Sequence, residues 1–298
     1  RWSGPGGGST MFLSAGERVS VEDLLYGIVT VSGNDASVVL AECISGTEAA
    51  FAALMNRKAE DLGLNDSNFG NSTGWPDEGR TYTTARDLAR LAVSTIRRYP
   101  EMYAQFYGRR EFTWGETNSG QPITQSNRNP LLGQIRGADG LKTGHTEEAG
   151  FCFTGSAERD GRRLVMVVAG LDSYEGRTAE SRRFVEWGFN AWELEQLLAQ
   201  GARIGTAQVQ LGGASEVNLV APRNLAISVP RASDGNRRYS IVYEGPIRAP
   251  IAEGQIVAHL VVRSPGLPTQ RLPLAAETSV GERRFFGRLW AGFKSLFV

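Results

Sequence analysis

Asp139-Gly140-Leu141-Lys142-Thr143-Gly144-His145-Thr146 and Ser32-Gly33-Asn34, which stands 110 positions before that lysine, decide how this chain is read. Ser32-Gly33-Asn34 interrupts a run of apolar residues at helical spacing, so it belongs on a loop between helices. Lys142-Thr143-Gly144 follows Asp139-Gly140, read as a turn, and lies on a strand. A lysine on a strand edge supplies positive charge and can carry protons, and the neighbouring Thr143 hydroxyl can bind a carboxylate. Gly144 leaves room for a substrate to lie along the strand as in backbone-edge recognition. Ser32 offers a hydroxyl relay and Asn34 an amide for a peptide backbone. Together these are parts of a serine acyl-transfer site, which also needs an activated nucleophile and donors for an oxyanion.

Working outward, Val19, Val21, Leu24, Leu25, Ile28 and Val31 repeat at helical spacing, and Ser20 followed by Glu22 and Asp23 marks a helix start. Residues 36–44 read as a buried helix closed by Gly46, residues 47–62 as an amphipathic helix ending at Gly63, and 84–98 as a helix with a threonine cap. Beyond Pro100, short strands are expected at 111–114 and 122–126. Two more, Phe151–Ala157 and Leu164–Leu171, are joined by Glu158-Arg159-Asp160-Gly161, a hairpin signal. A long helix is expected over 178–198. The order is an α+β fold, a helical cluster packed on an antiparallel sheet.

From Gly201 the texture changes to short β-rich runs at 206–211, 217–220, 225–229, 238–243, 256–263 and 270–274, which reads as a small all-β domain. The expected divisions are 1–199, 200–276 and 277–298. Along 281–298, Phe285, Phe286, Leu289, Trp290, Phe293, Leu296 and Phe297 gather on one side of a helix, with Arg283, Arg284, Arg288 and Lys294 mainly elsewhere. Such a helix is too short and too basic to span a bilayer and suits the headgroup plane of an anionic membrane.

Composition narrows the field. The 298 residues carry 32 basic and 32 acidic side chains, a balance that asks for no nucleic acid. Two histidines, His145 and His259, exclude a His-rich metal site, and a Ser-His-Asp triad has no signature. Cys43 and Cys152 are expected as buried free thiols. The abrupt, glycine-rich start at Arg1-Trp2-Ser3, without a signal peptide, reads as a truncation point.

The resemblance reaches well past the two triplets. Met11-Phe12-Leu13, Leu24 to Ala36, Phe51 to Leu64, Tyr82-Thr83-Thr84-Ala85-Arg86-Asp87, Asn127-Arg128-Asn129, Asp139 to Thr146 and Gly176-Arg177-Thr178-Ala179-Glu180-Ser181 resemble the low-molecular-mass penicillin-binding D-alanyl-D-alanine carboxypeptidases. The resemblance implies a β-lactamase/transpeptidase-like fold and no cofactor. It also implies removal of the terminal D-alanine from peptidoglycan pentapeptides through an acyl-enzyme, with β-lactams as inhibitors. Lys142 takes the third-motif lysine position, Ser32 the proton-relay serine and Asn34 a substrate hydrogen bond. The backbone N–H of His145 forms half of the oxyanion hole; Thr143 and Arg177 hold the terminal carboxylate, a task suited to a guanidinium fork. The β-rich domain and the 281–298 segment match the family's second domain and membrane anchor, which implies the periplasmic face of the bacterial inner membrane.

One element of the motif set is missing. The lysines are Lys58, Lys142 and Lys294, and none stands three positions after a serine. The S-x-x-K element is therefore expected upstream of Arg1, or lost. Two other readings compete. A β-lactamase would want a Glu on a loop between the motifs, and Asp61-Leu62-Gly63-Leu64-Asn65 is the nearest lookalike. A non-catalytic peptidoglycan-binding or scaffolding relative would leave the β-rich domain as the working part.

Overall fold

Helix α1, Val21–Tyr26, begins where the sequence marks it: the Ser20 hydroxyl oxygen accepts from the Asp23 N–H at 3.0 Å. A π-helical turn, Gly27–Val31, continues it and stops at Ser32, whose backbone is left-handed at φ 65°. Helices α2, Asn34–Ser45, and α3, Glu48–Leu62, each end on a left-handed glycine, Gly46 and Gly63. Helix α4, Ala85–Arg98, starts at a Thr84 cap, and Pro100 opens α5, Pro100–Tyr107, which no sequence signal announced. The computed structural model describes residues 8–283, apart from Asn118 and Asp234. The amphipathic segment expected at 281–298 lies, from Arg284 onward, outside the described residues.

Strands β1, Glu111–Glu116, and β2, Pro122–Ser126, form a two-stranded ribbon. The sheet that carries the lysine motif has three antiparallel strands in the order β3-β4-β5: Ala138–Thr146, Gly150–Arg159 and Arg162–Leu171. Asp160 and Gly161, at φ 52° and 74°, make the tight β4–β5 turn. Helix α6, Tyr174–Ala191, follows. Its Val185 and Phe189 pack with Leu131, Phe153, Ala157 and Met166, while Ala92 of α4 and Tyr103 of α5 pack on Leu141. A further cluster joins Met11, Leu24, Tyr26, Val31, Ala36, Phe106 and Phe112.

The chain divides into two compact units between Phe189 and Asn190. The second is all β. Strand β6, Trp192–Leu198, pairs with β9, Leu225–Pro230. A six-stranded sheet follows the order β10-β12-β13-β8-β7-β11. Its strands are β7 Arg203–Gln210, β8 Glu216–Val220, β10 Arg238–Val242, β11 Ile247–Arg248, β12 Ile256–Arg263 and β13 Gln270–Ala276. Leu219, Ile227, Val229, Leu260, Val262 and Leu274 fill its core.

Four local expectations are corrected. The helix expected to run to 198 ends at Ala191, because 192–198 pairs with β9 and places Glu193 beside Arg231 and Glu195 beside Arg237. Asp139 and Gly140 are strand residues rather than a turn. Helix α2 is only partly covered, with Val39 and Ile44 exposed at 42% and 55%. The two cysteines are free, but Cys43 is exposed and Cys152 half-buried.

Candidate active site

The Ser32 turn is tightly held. A non-glycine residue in the left-handed region costs roughly 1 kcal/mol or more and persists where its surroundings over-determine it. Here the Gly33 N–H donates to Gly27 O at 2.9 Å and the Asn34 N–H to Ser9 O at 2.8 Å. Arg128 Nη2 donates to Val31 O at 2.5 Å. The π-helical turn just before Ser32 is a form that recurs at functional sites. Asp35, buried behind the turn, accepts from the N–H groups of Met11, Leu13 and Ala36 and from the Thr10 hydroxyl, all within 3.0 Å. Burial works to raise its pKa, but these hydrogen bonds outweigh it and hold the carboxyl below the usual range. The segment 8–13 is thereby pinned beside the Ser-Gly-Asn turn. A side chain at Gly8 would lie 2.9 Å from Asn34 Nδ2.

Lys142 reaches this turn from β3. Its Nζ donates to Ser32 Oγ at 2.7 Å and to Thr143 O at 2.9 Å. Two motifs 110 residues apart thus meet in one hydrogen bond. Burial, joined by the positive charges of Arg128 and Arg177, pulls the Lys142 ammonium down to about 7. At neutral pH this amine can give or take a proton.

Among the described residues β3 is an edge strand paired with β4, with Gly144 opposite Cys152 and His145 opposite Phe151. A Cβ built on Gly144 meets nothing within 4 Å, so the face beside Lys142 is open. His145 is exposed and its ring stacks on Phe151 at 3.9 Å.

Arg177, on the first turns of α6, is 3% exposed. Its guanidinium lies 5.0 Å from the Tyr174 ring and 5.7 Å from that of Phe151, and its buried Nε has no hydrogen-bond partner. Burial depresses its pKa, and the charge of Arg128 adds to that. A buried guanidinium without an acidic partner is costly unless an anion completes it. Among the described residues the site gathers Lys142, Arg128 and Arg177 with no ion-paired carboxylate, an arrangement suited to receiving an anion.

Lys142 and Ser32 are thus brought into contact, with Asn34 on the same turn, Thr143, Gly144 and His145 along the same edge, and Arg177 within electrostatic range. Arg128 had no role assigned from sequence. Its signal was Asn127-Arg128-Asn129: Asn127 Nδ2 donates to Arg109 O, Asn127 Oδ1 accepts from the Asn129 N–H, and Asn129 Oδ1 accepts from the Leu131 N–H. The two asparagines build the loop that presents the arginine. Beneath β3, Asp139 accepts from Tyr103 Oη and Arg163 Nη1, each at 2.7 Å, a support that sequence alone did not reveal.

The Lys142–Ser32 contact, an open strand face and a buried arginine are groups of the kind a serine acyl-transfer site uses. Comparison with known proteins narrows this. Residues 3–173 match the D-alanyl-D-alanine carboxypeptidase family, and 192–282 match the C-terminal domain of penicillin-binding protein 5. The D-alanyl-D-alanine carboxypeptidase DacA of Haemophilus influenzae is 36% identical over 286 residues, covering 95% of this chain and 70% of that protein. DacD of Escherichia coli is 37% identical over 285 residues, covering 95% and 71%. The crystal structure of penicillin-binding protein 5 from Haemophilus influenzae superposes with a TM-score of 0.76 at 35% identity, over 93% of this chain and 79% of that one. The chain belongs to the D-alanyl-D-alanine carboxypeptidase family of serine peptidases.

Proposed function

We propose that this carboxypeptidase works through the Lys142–Ser32 pair, with Arg177 and Thr143 as the receptor for the substrate's terminal carboxylate. The single observation that carries the reading is the 2.7 Å Nζ–Oγ contact, within electrostatic range of a buried guanidinium whose Nε has no hydrogen-bond partner among the described residues. The stem peptide lies along the free edge of β3, Asn34 holds its backbone, and the His145 N–H points at the scissile carbonyl oxygen. The attacking serine belongs to the S-x-x-K element of the motif set, which does not occur among these 298 residues. The proton released by the attacking serine passes through Ser32 to the neutral Lys142 amine, and as the tetrahedral adduct collapses the pair return it to the amine of the departing D-alanine. The acyl-enzyme is then hydrolysed by water. A β-lactam, which also bears a carboxylate beside a reactive carbonyl, enters the same receptor and acylates the same serine.

We further infer that the second unit and the 281–298 segment hold the enzyme at the membrane on the periplasmic side, the aromatic face seated among anionic headgroups. What supports this is the pattern of the segment itself and the cell-wall role of the relatives. The test of the catalytic reading is D-alanine release by the protein carrying its S-x-x-K element. Release from a pentapeptide ending in D-Ala-D-Ala, lost when that terminus is amidated, agrees with it. Equal turnover of the amidated peptide contradicts the carboxylate receptor.

A further inference from the structure

Like charges directly opposite one another on neighbouring strands repel, and sheets avoid them. Strand β10 nevertheless sets Arg238 opposite Arg263 of β12. On β13, Arg271 stands opposite Val261, two positions from Arg263 on the same face, and so diagonal to it. All three arginines are exposed. Among the described residues none of the three makes an ion pair, whereas Arg203, Arg231 and Arg237 of the same unit are matched by Glu277, Glu193 and Glu195.

A basic residue on an edge strand guards against unwanted pairing. That accounts for Arg238, because β10 is the outermost strand of its sheet. It does not account for Arg263 and Arg271, which stand on the two strands further in. The patch therefore extends across three strands, and beside it runs the flank of β10, unpaired among the described residues, where Tyr239 and Val242 are 51% and 38% exposed.

Two chemistries meet here, and they select the occupant. Phosphate polymers and lipid headgroups can satisfy arginines but cannot pair with the N–H and C=O groups of a strand edge. An extended acidic peptide can do both, adding a strand at about 4.8 Å from β10 with a carboxylate beside Arg238, while Arg263 and Arg271, one and two strands further in, attract it over a longer range. The chain's own 284–298 is excluded by charge, since it carries Arg284, Arg288 and Lys294 and no acid. We propose that the β10 edge, with Arg238, Arg263 and Arg271, docks an extended acidic segment of a partner protein as a further strand of the sheet. The proposal is independent of the active-site assignment.

The probe is a short fluorescein-labelled peptide alternating Glu with Thr and Val, titrated with the whole protein and read by anisotropy. Saturable binding is expected, weakened about tenfold or more in R263E and by a smaller factor in R271Q, with melting curves confirming that each variant folds. Alternate peptide amides face the edge, so N-methylating one alternating set abolishes binding and methylating the other does not. Equal binding by both methylated peptides overturns strand addition. So does tighter binding of polyphosphate or of phosphatidylglycerol vesicles, and so does the absence of any binding.

Discussion

Replacing Arg128 with Gln removes one of the two positive charges that help hold the Lys142 ammonium near 7. Two unit charges roughly 10 Å apart at an effective dielectric constant of about 20 repel by about 1.7 kcal/mol. That is about one pKa unit, so the lysine titrates near 8 in R128Q. At pH 7 its neutral fraction then falls from about one half to about one tenth, and the proton-accepting step slows about fivefold. At pH 9 most of the lysine is neutral in both proteins and the gap closes. These 298 residues hold Lys58, Lys142 and Lys294, so on this chain carbon-labelled lysine gives three resonances whose titrations are followed separately by NMR, while activity is read on protein that carries its S-x-x-K element. R128K keeps the charge and leaves the Lys142 titration in place, even though the fork that reaches Val31 O is lost. A Lys142 titration unmoved in R128Q refutes the electrostatic reasoning. A pH-independent loss of activity would assign Arg128 to support of the Ser32 turn alone.

Other outcomes follow from the same geometry. Substituting Arg177→Gln raises KM for peptides with a free carboxylate by about tenfold or more, with a smaller change in kcat, as steady-state kinetics can show. Asp35→Asn removes a buried charge that four donors satisfy; a loss of about 2 kcal/mol or more lowers the melting temperature by about 4–8 °C. Because the folded pKa of Asp35 lies below its unfolded value near 4, its stabilisation is full above that value. It is lost as pH falls through the folded pKa, so acid unfolding in the wild type is steeper than in D35N. Gly137→Ala places a Cβ 1.9 Å from the backbone oxygen of Glu158, at a φ of 79°, and should unfold the β3–β4 pairing at lower denaturant.

Much of the site was legible because it is written in local chemistry. Lys142-Thr143-Gly144 sits on a short strand and Ser32-Gly33-Asn34 between helical patterns, and neither needs long-range information to be placed. Cap residues Ser20 and Thr84 and the closing glycines Gly46 and Gly63 mark helix ends by the same kind of local rule. What escaped depends on distant partners. Residues 192–198 carry Leu and Glu in numbers that suit a helix, and only pairing with β9 makes them a strand. Arg128 looks like any surface arginine until the Ser32 turn, 97 residues from it through Val31, accepts its hydrogen bond. Asp35 reads as a first-turn acid stabilising α2, yet its main work is to bind the 10–13 segment.

The measurement that tests the central claim most directly is the acylation rate with a fluorescent penicillin, using the protein that carries its S-x-x-K element, in wild-type form and with Lys142→Met. The account predicts covalent labelling of the wild type and a rate at least about a hundredfold lower in K142M, because the relay to Ser32 is gone. Wild-type protein that folds but takes no label, or K142M that labels as fast as wild type, would contradict it.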